Sequence, residues 1–186
     1  MAGADAALGS GGPDGQLFST ARLHCRRWRA EDADALLAVY GDAEAMRWVG
    51  DGQPITREAC AQWFQVTADN YARRGYGMFT LVDRASGQVV GFAGLVHPGG
   101  QAEAEIKYAL HRAHWGRGLA SECVPALLQH GHRAHGLDQI IATVAPGNQA
   151  SQRVLAKAGM VLDHTRDHDD GSRTLVFRWT AASPAG

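Results

Sequence analysis

Between Glu103 and Met160 the chain changes its hydrophobic period repeatedly, and that pattern restricts the folds open to it. Residues 103–110 alternate in twos, as a strand does. Residues 111–117 form a loop, and a long helix with an apolar stripe follows. A second strand at 139–144 and a shorter helix beginning near Asn148 complete the segment. Strand, helix and strand in that order make a right-handed βαβ crossover, so the two strands run parallel. The joint between the first strand and the long helix reads Trp115-Gly116-Arg117-Gly118-Leu119-Ala120. Glycine there lets the backbone turn sharply and leaves its N–H groups uncovered. Unpaired amides at a helix start, with the positive end of the helix dipole, form a cradle for phosphate. The cradle lies at the C-terminal end of a strand, where α/β ligands tend to bind.

The flanking segments supply hairpins and helices. Residues 22–28 suit a strand, and Glu31 and Asp32 open a helix carrying Ala33, Leu36, Leu37 and Tyr40 on one face. Residues 41–54 read as irregular, with Met46 and Trp48 as bulky positions. Thr56 is an N-cap for a second helix, with Ala59, Trp63, Val66 and Tyr71 on one side, ending at Arg73-Arg74-Gly75. Strands at 76–82 and 88–96 flank a turn at 83–87, and strands at 161–166 and 173–180 flank Asp169-Asp170-Gly171. Pro125 falls inside the long helix, where a kink or an irregular first turn is expected. The whole reads as an α+β single domain: a mixed, mostly antiparallel sheet with one central βαβ crossover and flanking helices. Its boundaries are set at residues 19–180, between tails at 1–18 and 181–186.

Bulk properties exclude several classes. At 186 residues the chain supports one well-buried core. A net charge of −1 gives no general attraction to nucleic acid or to an anionic membrane. No stretch has the apolar length to cross a bilayer, and residues 1–15 lack a signal peptide's pattern. Cys25, Cys60 and Cys123 are odd in number and far apart, which fits reduced thiols and a cytoplasmic location. His130, His132 and His135 lack the i, i+4 spacing of a helical zinc pair. The run His164, Asp167, His168, Asp169 and Asp170 reads as a turn, so no metal is expected. A Walker loop would need Gly-Lys-Ser/Thr, which is absent. A dinucleotide fingerprint would need glycine where Ser121 stands.

Four pieces in fixed order carry a family resemblance. They are Glu105-Ile106-Lys107-Tyr108, the loop extended to Ser121-Glu122, Asn148-Gln149-Ala150-Ser151 with the residues up to Leu155, and Lys157-Ala158-Gly159-Met160. Together they resemble the GCN5-related N-acetyltransferases, and within them the branch holding ribosomal-protein N-terminal acetyltransferases. The resemblance implies acetyl-CoA as co-substrate, with its pyrophosphate on the amides of Trp115, Gly116, Arg117, Gly118, Leu119 and Ala120. It implies pantetheine pairing with the strand edge at Tyr108, Ala109 and Leu110, and a hydrogen bond from the coenzyme arm to Asn148. Asn148 also suits a plain helix cap. Two departures stand out. Trp115 takes a place often held by Gln or Arg, and Leu155 takes the place of a tyrosine that many members use as an acid.

Two residues are assigned to catalysis. An attacking amine must be neutral, and Glu105 is the expected proton acceptor. The plainer reading of Glu105 is a solvated strand face on which it pairs with Lys107. Ser151, one turn after Asn148, is the expected donor to the departing thiolate, or else a serine bonded to its own helix. The expected reaction is direct transfer of acetyl to a primary amine, on a peptide N-terminus or a small molecule. A catalytically silent acetyl-CoA-binding module of the same fold is the alternative. Trp48, Trp63, Tyr71, Tyr76, Met78 and Phe79 belong either to the acceptor wall or to the core. A homodimer is common among such enzymes, and no sequence feature specifies one.

Overall fold

The computed structural model describes residues 15–182. Eight strands form one sheet: β1 (Gln16–Ser19), β2 (Leu23–Arg27), β3 (Met78–Asp83), β4 (Val89–Val96), β5 (Ala104–Leu110), β6 (Gln139–Val144), β7 (Val161–Asp167) and β8 (Arg173–Thr180). Their spatial order is β1-β2-β3-β4-β5-β6-β8-β7. Every neighbouring pair is antiparallel except β5 and β6, which run parallel around the crossover. The α+β class and the single crossover are thus as expected.

Among the described residues five α-helices cover the two faces. On one side lie α1 (Ala33–Tyr40), α2 (Ala43–Met46) and α3 (Arg57–Arg74), and on the other α4 (Leu119–His135) and α5 (Gln149–Lys157). Strand alternation divides the core accordingly. Phe79, Leu81, Ala93, Leu95 and Ile106 pack with Leu119, Cys123, Val124, Leu127 and Leu128 of α4. Phe92 faces the opposite way, into a smaller cluster with Leu36, Val39, Tyr40, Met46 and Cys60. A buried ion pair ties β2 to the turn before α1: Arg26 Nη1 and Nη2 meet the two oxygens of Asp32 at 2.7 and 2.8 Å.

Several boundaries differ from expectation. Gln16–Ser19 is a strand paired with β2, so the expected tail at 1–18 is too long at its inner end. A four-residue strand with one partner leaves little periodic signal, and residues 1–14 lie outside the described residues. Within the stretch expected to be irregular, α2 forms because Asp42 caps it, accepting from the N–H groups of Glu44 and Ala45. Thr56 caps α3 as expected, and Gly75 closes it in the left-handed conformation at φ 79°. The helix α4 runs unbroken across Pro125. Proline has no N–H to offer the carbonyl of Ser121, one turn back, and the neighbouring bonds carry the helix through.

Candidate active site

A fork in the sheet organises the site. β5 and β6 pair only at Ala104 with Ile140 and at Glu105 with Ile141. Beyond that point β6 stays with β8 as far as Val144, while β5 stays with β4 as far as Leu110. A wedge opens between them, and among the described residues β5 has no strand beside it on that side from residue 106 onward.

Glu105 sits at the apex of the wedge with 2% of its surface exposed. Lys107 Nζ and Thr143 Oγ1 both donate to Glu105 Oε1, and Gln101 Nε2 donates to Oε2 at 3.1 Å. Lys107 also donates to Thr143 Oγ1 at 3.0 Å, so one cation reaches across from β5 to β6. The Glu105–Lys107 pairing of the plainer reading is present, but it is made by a buried carboxylate and not on a solvated strand face. A buried carboxylate keeps its charge at tolerable cost only when paired and hydrogen-bonded, and this one has three donors.

Tyr108 and Ser151 meet on the other face of β5, 2.6 Å apart between hydroxyl oxygens. Burial pushes the Tyr108 phenol up to about 12, against a smaller opposing effect from Ser151. The phenol therefore carries its proton throughout the neutral range and is a donor rather than a base. Asn148 caps α5, its Oδ1 accepting from the N–H of Ser151 at 3.1 Å, which is the plainer of its two expected roles. Leu155 is buried in the core, so the missing tyrosine's place offers no hydroxyl to the wedge.

At the mouth of the wedge the loop into α4 is bare. Gly116 and Gly118 have φ of 71° and 76°, a region that side chains with a Cβ enter only with strain. Gly118 is the N-cap of α4 and supplies no capping side chain. The N–H groups of Leu119, Ala120 and Ser121 in the first turn have no intrahelical partner. Among the described residues, no atom beyond Gly116 and its two chain neighbours stands within 4 Å of where a Cβ on Gly116 would lie. Open space over unpaired amides is what a pyrophosphate needs, and the residues present fit that group. Two arginines add positive charge here. Arg22 Nη1 donates to the Arg117 carbonyl at 2.7 Å, and Arg117 Nη1 donates to His114 Nδ1 at 2.8 Å. The indole of Trp115 folds back to donate to the Leu110 carbonyl at 2.8 Å, occupying the end of the β5 edge.

Glu122 anchors this loop. Its carboxylate accepts from the Thr20 hydroxyl at 2.5 Å, the Arg22 N–H at 2.7 Å and Arg22 Nε at 2.6 Å. Burial works to raise the Glu122 carboxyl, and these three donors with the Arg22 charge hold it below its ordinary value. Sequence reasoning missed Thr20, Arg22, Gln101 and Thr143. Each lies far along the chain from its partner or, like Gln101, in a loop without a motif, and strand alternation alone does not mark them.

Of the aromatics offered as an acceptor wall, most are core. Phe79 is buried beneath α4, and Trp63 and Met78 pack against the smaller cluster. Tyr71 lies under the Arg27 guanidinium, and Tyr76 donates to or accepts from His97 Nε2 at 2.9 Å. Trp48 is 39% exposed, and its ring lies so close to Gly147 that a Cβ there would meet it at 2.6 Å. It reaches from the α1–α3 side to the loop before Asn148. The segment around Asp169 and Asp170 is a turn, with Gly171 N–H bonded to the His168 carbonyl at 2.9 Å. Among the described residues no group of three or more His, Cys, Asp or Glu side chains is placed to hold a metal ion, and no helix is long and apolar enough to cross a membrane.

A mixed sheet forked between its two parallel strands, with helices on both faces, is the fold of an acetyltransferase class of proteins. Residues 22–161 match the family model described as acetyltransferase (GNAT) domain, and the chain belongs to that family. It is 30% identical over 158 residues to an uncharacterized N-acetyltransferase, p20, of Bacillus licheniformis, covering 81% of this chain and 88% of the relative. A GNAT-family acetyltransferase from Bacillus anthracis superposes with a TM-score of 0.74 at 23% identity, covering 87% of this chain and 96% of that one. RimL, a ribosomal alpha-N-protein acetyltransferase solved in complex with coenzyme A, superposes with a TM-score of 0.75 at 18% identity, over 89% and 97%. The chain is therefore an acyltransferase.

Proposed function

We propose that this enzyme moves an acetyl group from acetyl-CoA to a primary amine by direct attack, the amine being a protein N-terminus or a small molecule. The fork carries the reading: the β5–β6 pairing ends at a buried carboxylate, and the open edge beyond it leads to a bare helix start. The backbone amides of Gly116 to Ala120 hold the pyrophosphate, and the helix dipole adds to their pull; the Trp115 amide, expected to join them, is instead bonded to the Arg112 carbonyl at 3.1 Å. The unpaired edge at Tyr108 and Ala109 receives the pantetheine amides as it would receive another strand. A neighbour of the same fold solved with coenzyme A supports that choice of co-substrate.

The two faces of β5 divide the proton work. Glu105 lies on the face of Ala109, which packs toward α1 and α3, and takes the proton of an ammonium arriving from that side. Tyr108 and Ser151 lie on the α5 face, where the sulfur leaves, and their shared hydrogen bond offers a proton to it. A thiol with a reference pKa near 8.5 is already a fair leaving group, so the second transfer is the smaller contribution. No acyl-enzyme is required, since Cys25, Cys60 and Cys123 are all buried in the core. The hydrogen bond with Cys25, and burial after it, push the Cys123 thiol well above its ordinary value and keep it protonated.

Titration calorimetry with coenzyme A, followed by coenzyme release with a panel of amines, tests this reading. Heat on binding and turnover with at least one amine are expected. Binding without turnover on any amine would favour the silent module. Glu105→Gln is expected to lower kcat/KM by about 10²–10⁴-fold and to remove the acidic limb of the pH–rate profile. An unchanged profile would rule out Glu105 as the base.

A further inference from the structure

Lys107 occupies the place at Glu105 that an acceptor ammonium would take. The chain contains sixteen arginines and only two lysines, Lys107 and Lys157. Arginine is never neutral near pH 7 and is a poor acyl acceptor, whereas a lysine that sheds one proton is a nucleophile. Lys107 Nζ donates to Glu105 Oε1 and, at 3.0 Å, to Thr143 Oγ1, so it lies across the wedge. Its side chain is 39% exposed, which leaves it open to a solute entering that gap, while Glu105 beneath it is 2% exposed. Lys157, at the end of α5, is exposed on the surface.

We propose that Lys107 is itself an acyl acceptor, so that the enzyme acetylates its own active site in the absence of a better amine. The proposal rests on the acetyl-CoA reading given above. Lys107 passes one ammonium proton to Glu105, and its neutral nitrogen attacks the thioester carbonyl carbon. The N–C bond forms and the C–S bond breaks, the electron pair leaving on sulfur. The proton released as the nitrogen becomes an amide goes to that sulfur through the Ser151 and Tyr108 hydroxyls. The products are Nε-acetyl-Lys107 and coenzyme A, and Glu105 returns its proton to solvent. Holding amine and base in the chain that binds the thioester removes the entropy cost of a second encounter, which is what lifts Lys107 above a surface lysine.

Intact-mass and peptide-mapping spectrometry of the full chain incubated with acetyl-CoA, alongside coenzyme calorimetry, test this. The expected result is one acetyl group on Lys107, added at least about tenfold faster than on Lys157. The fraction modified per unit time is expected to be independent of protein concentration, unaffected by Lys157→Arg, absent in Lys107→Arg and slowed in Glu105→Gln. In urea, where the wedge is gone, the two lysines are expected to react alike. If the coenzyme binds with heat and Lys107 gains acetyl no faster than Lys157, or at a rate that rises with protein concentration, the proposal is overturned while the acetyl-CoA reading stands. If no heat and no mass gain are seen, both fall.

Discussion

Glu105 and Asp32 show what a single buried charge demands. Asp32, 2% exposed, receives Arg26 on both oxygens, the Arg29 N–H at 2.9 Å and the Thr80 hydroxyl at 2.8 Å. Burial raises the Asp32 carboxyl, and those donors together bring it below its ordinary value. Asp32→Asn leaves the Arg26 guanidinium buried without its counter-charge, and a loss of about 3–5 kcal/mol in urea unfolding is expected. At the wedge, Tyr108→Phe and Ser151→Ala each remove one member of a hydrogen-bonded pair. Each is expected to lower kcat by about tenfold, and the double variant no further, because the two act as a unit. Equal kcat in all three variants and the wild type would show that the leaving sulfur takes no proton from this pair.

Among the elements, the start of α4 is where fold and chemistry compete. A capping side chain at position 118 would stabilise the helix but cover the amides, and glycine leaves them bare. Gly118→Ala places a Cβ at φ 76°, which costs about 1–2 kcal/mol in folding. It is also expected to weaken coenzyme binding in calorimetry, because the strained turn re-aims the N–H groups of Leu119 and Ala120. A variant with the stability loss but unchanged affinity would remove this loop from the coenzyme site. The clamp of Thr20 and Arg22 on Glu122 holds the first turn of α4 to the start of β2, so the loop is positioned by a segment about a hundred residues upstream.

Across the whole molecule, stability is expected to fall in two stages on acidification. His130 and His135 stand 5.3 Å apart between ring centres, near Phe18 and Tyr76, the latter bonded to His97. Burial lowers both from 6.5, and at His130 the neighbouring His135 adds to the effect. A depressed histidine leaves the unfolded chain binding more protons, so its contribution is complete above about 6.5 and declines as pH drops through the folded value. Asp32 and Glu122 are also depressed, from 3.8 and 4.5, and their contributions are lost only below about pH 4. Urea midpoints measured from pH 8 to pH 3 are expected to be flat at first, to decline below about 6.5 and to steepen below about 4. A midpoint that rises between pH 7 and 5 would contradict the burial of those histidines.

Local patterning determined the crossover, the two long hairpins, the caps at Thr56 and Asn148, and the bare glycine turn at Gly116 and Gly118. Each of these depends on residues within a few positions of one another, where periodicity and turn chemistry act directly. What only the tertiary structure decided is the company each side chain keeps. Thr143 beside Glu105, Ser151 against Tyr108, Arg22 on the loop carbonyl and Trp48 over Gly147 join segments that are distant in the chain. So too the depth of Glu105 and the point where β5 parts from β6 follow from how the sheet twists between its helices. Burial and hydrogen-bond pairing are properties of the assembled volume, and no window of sequence contains them.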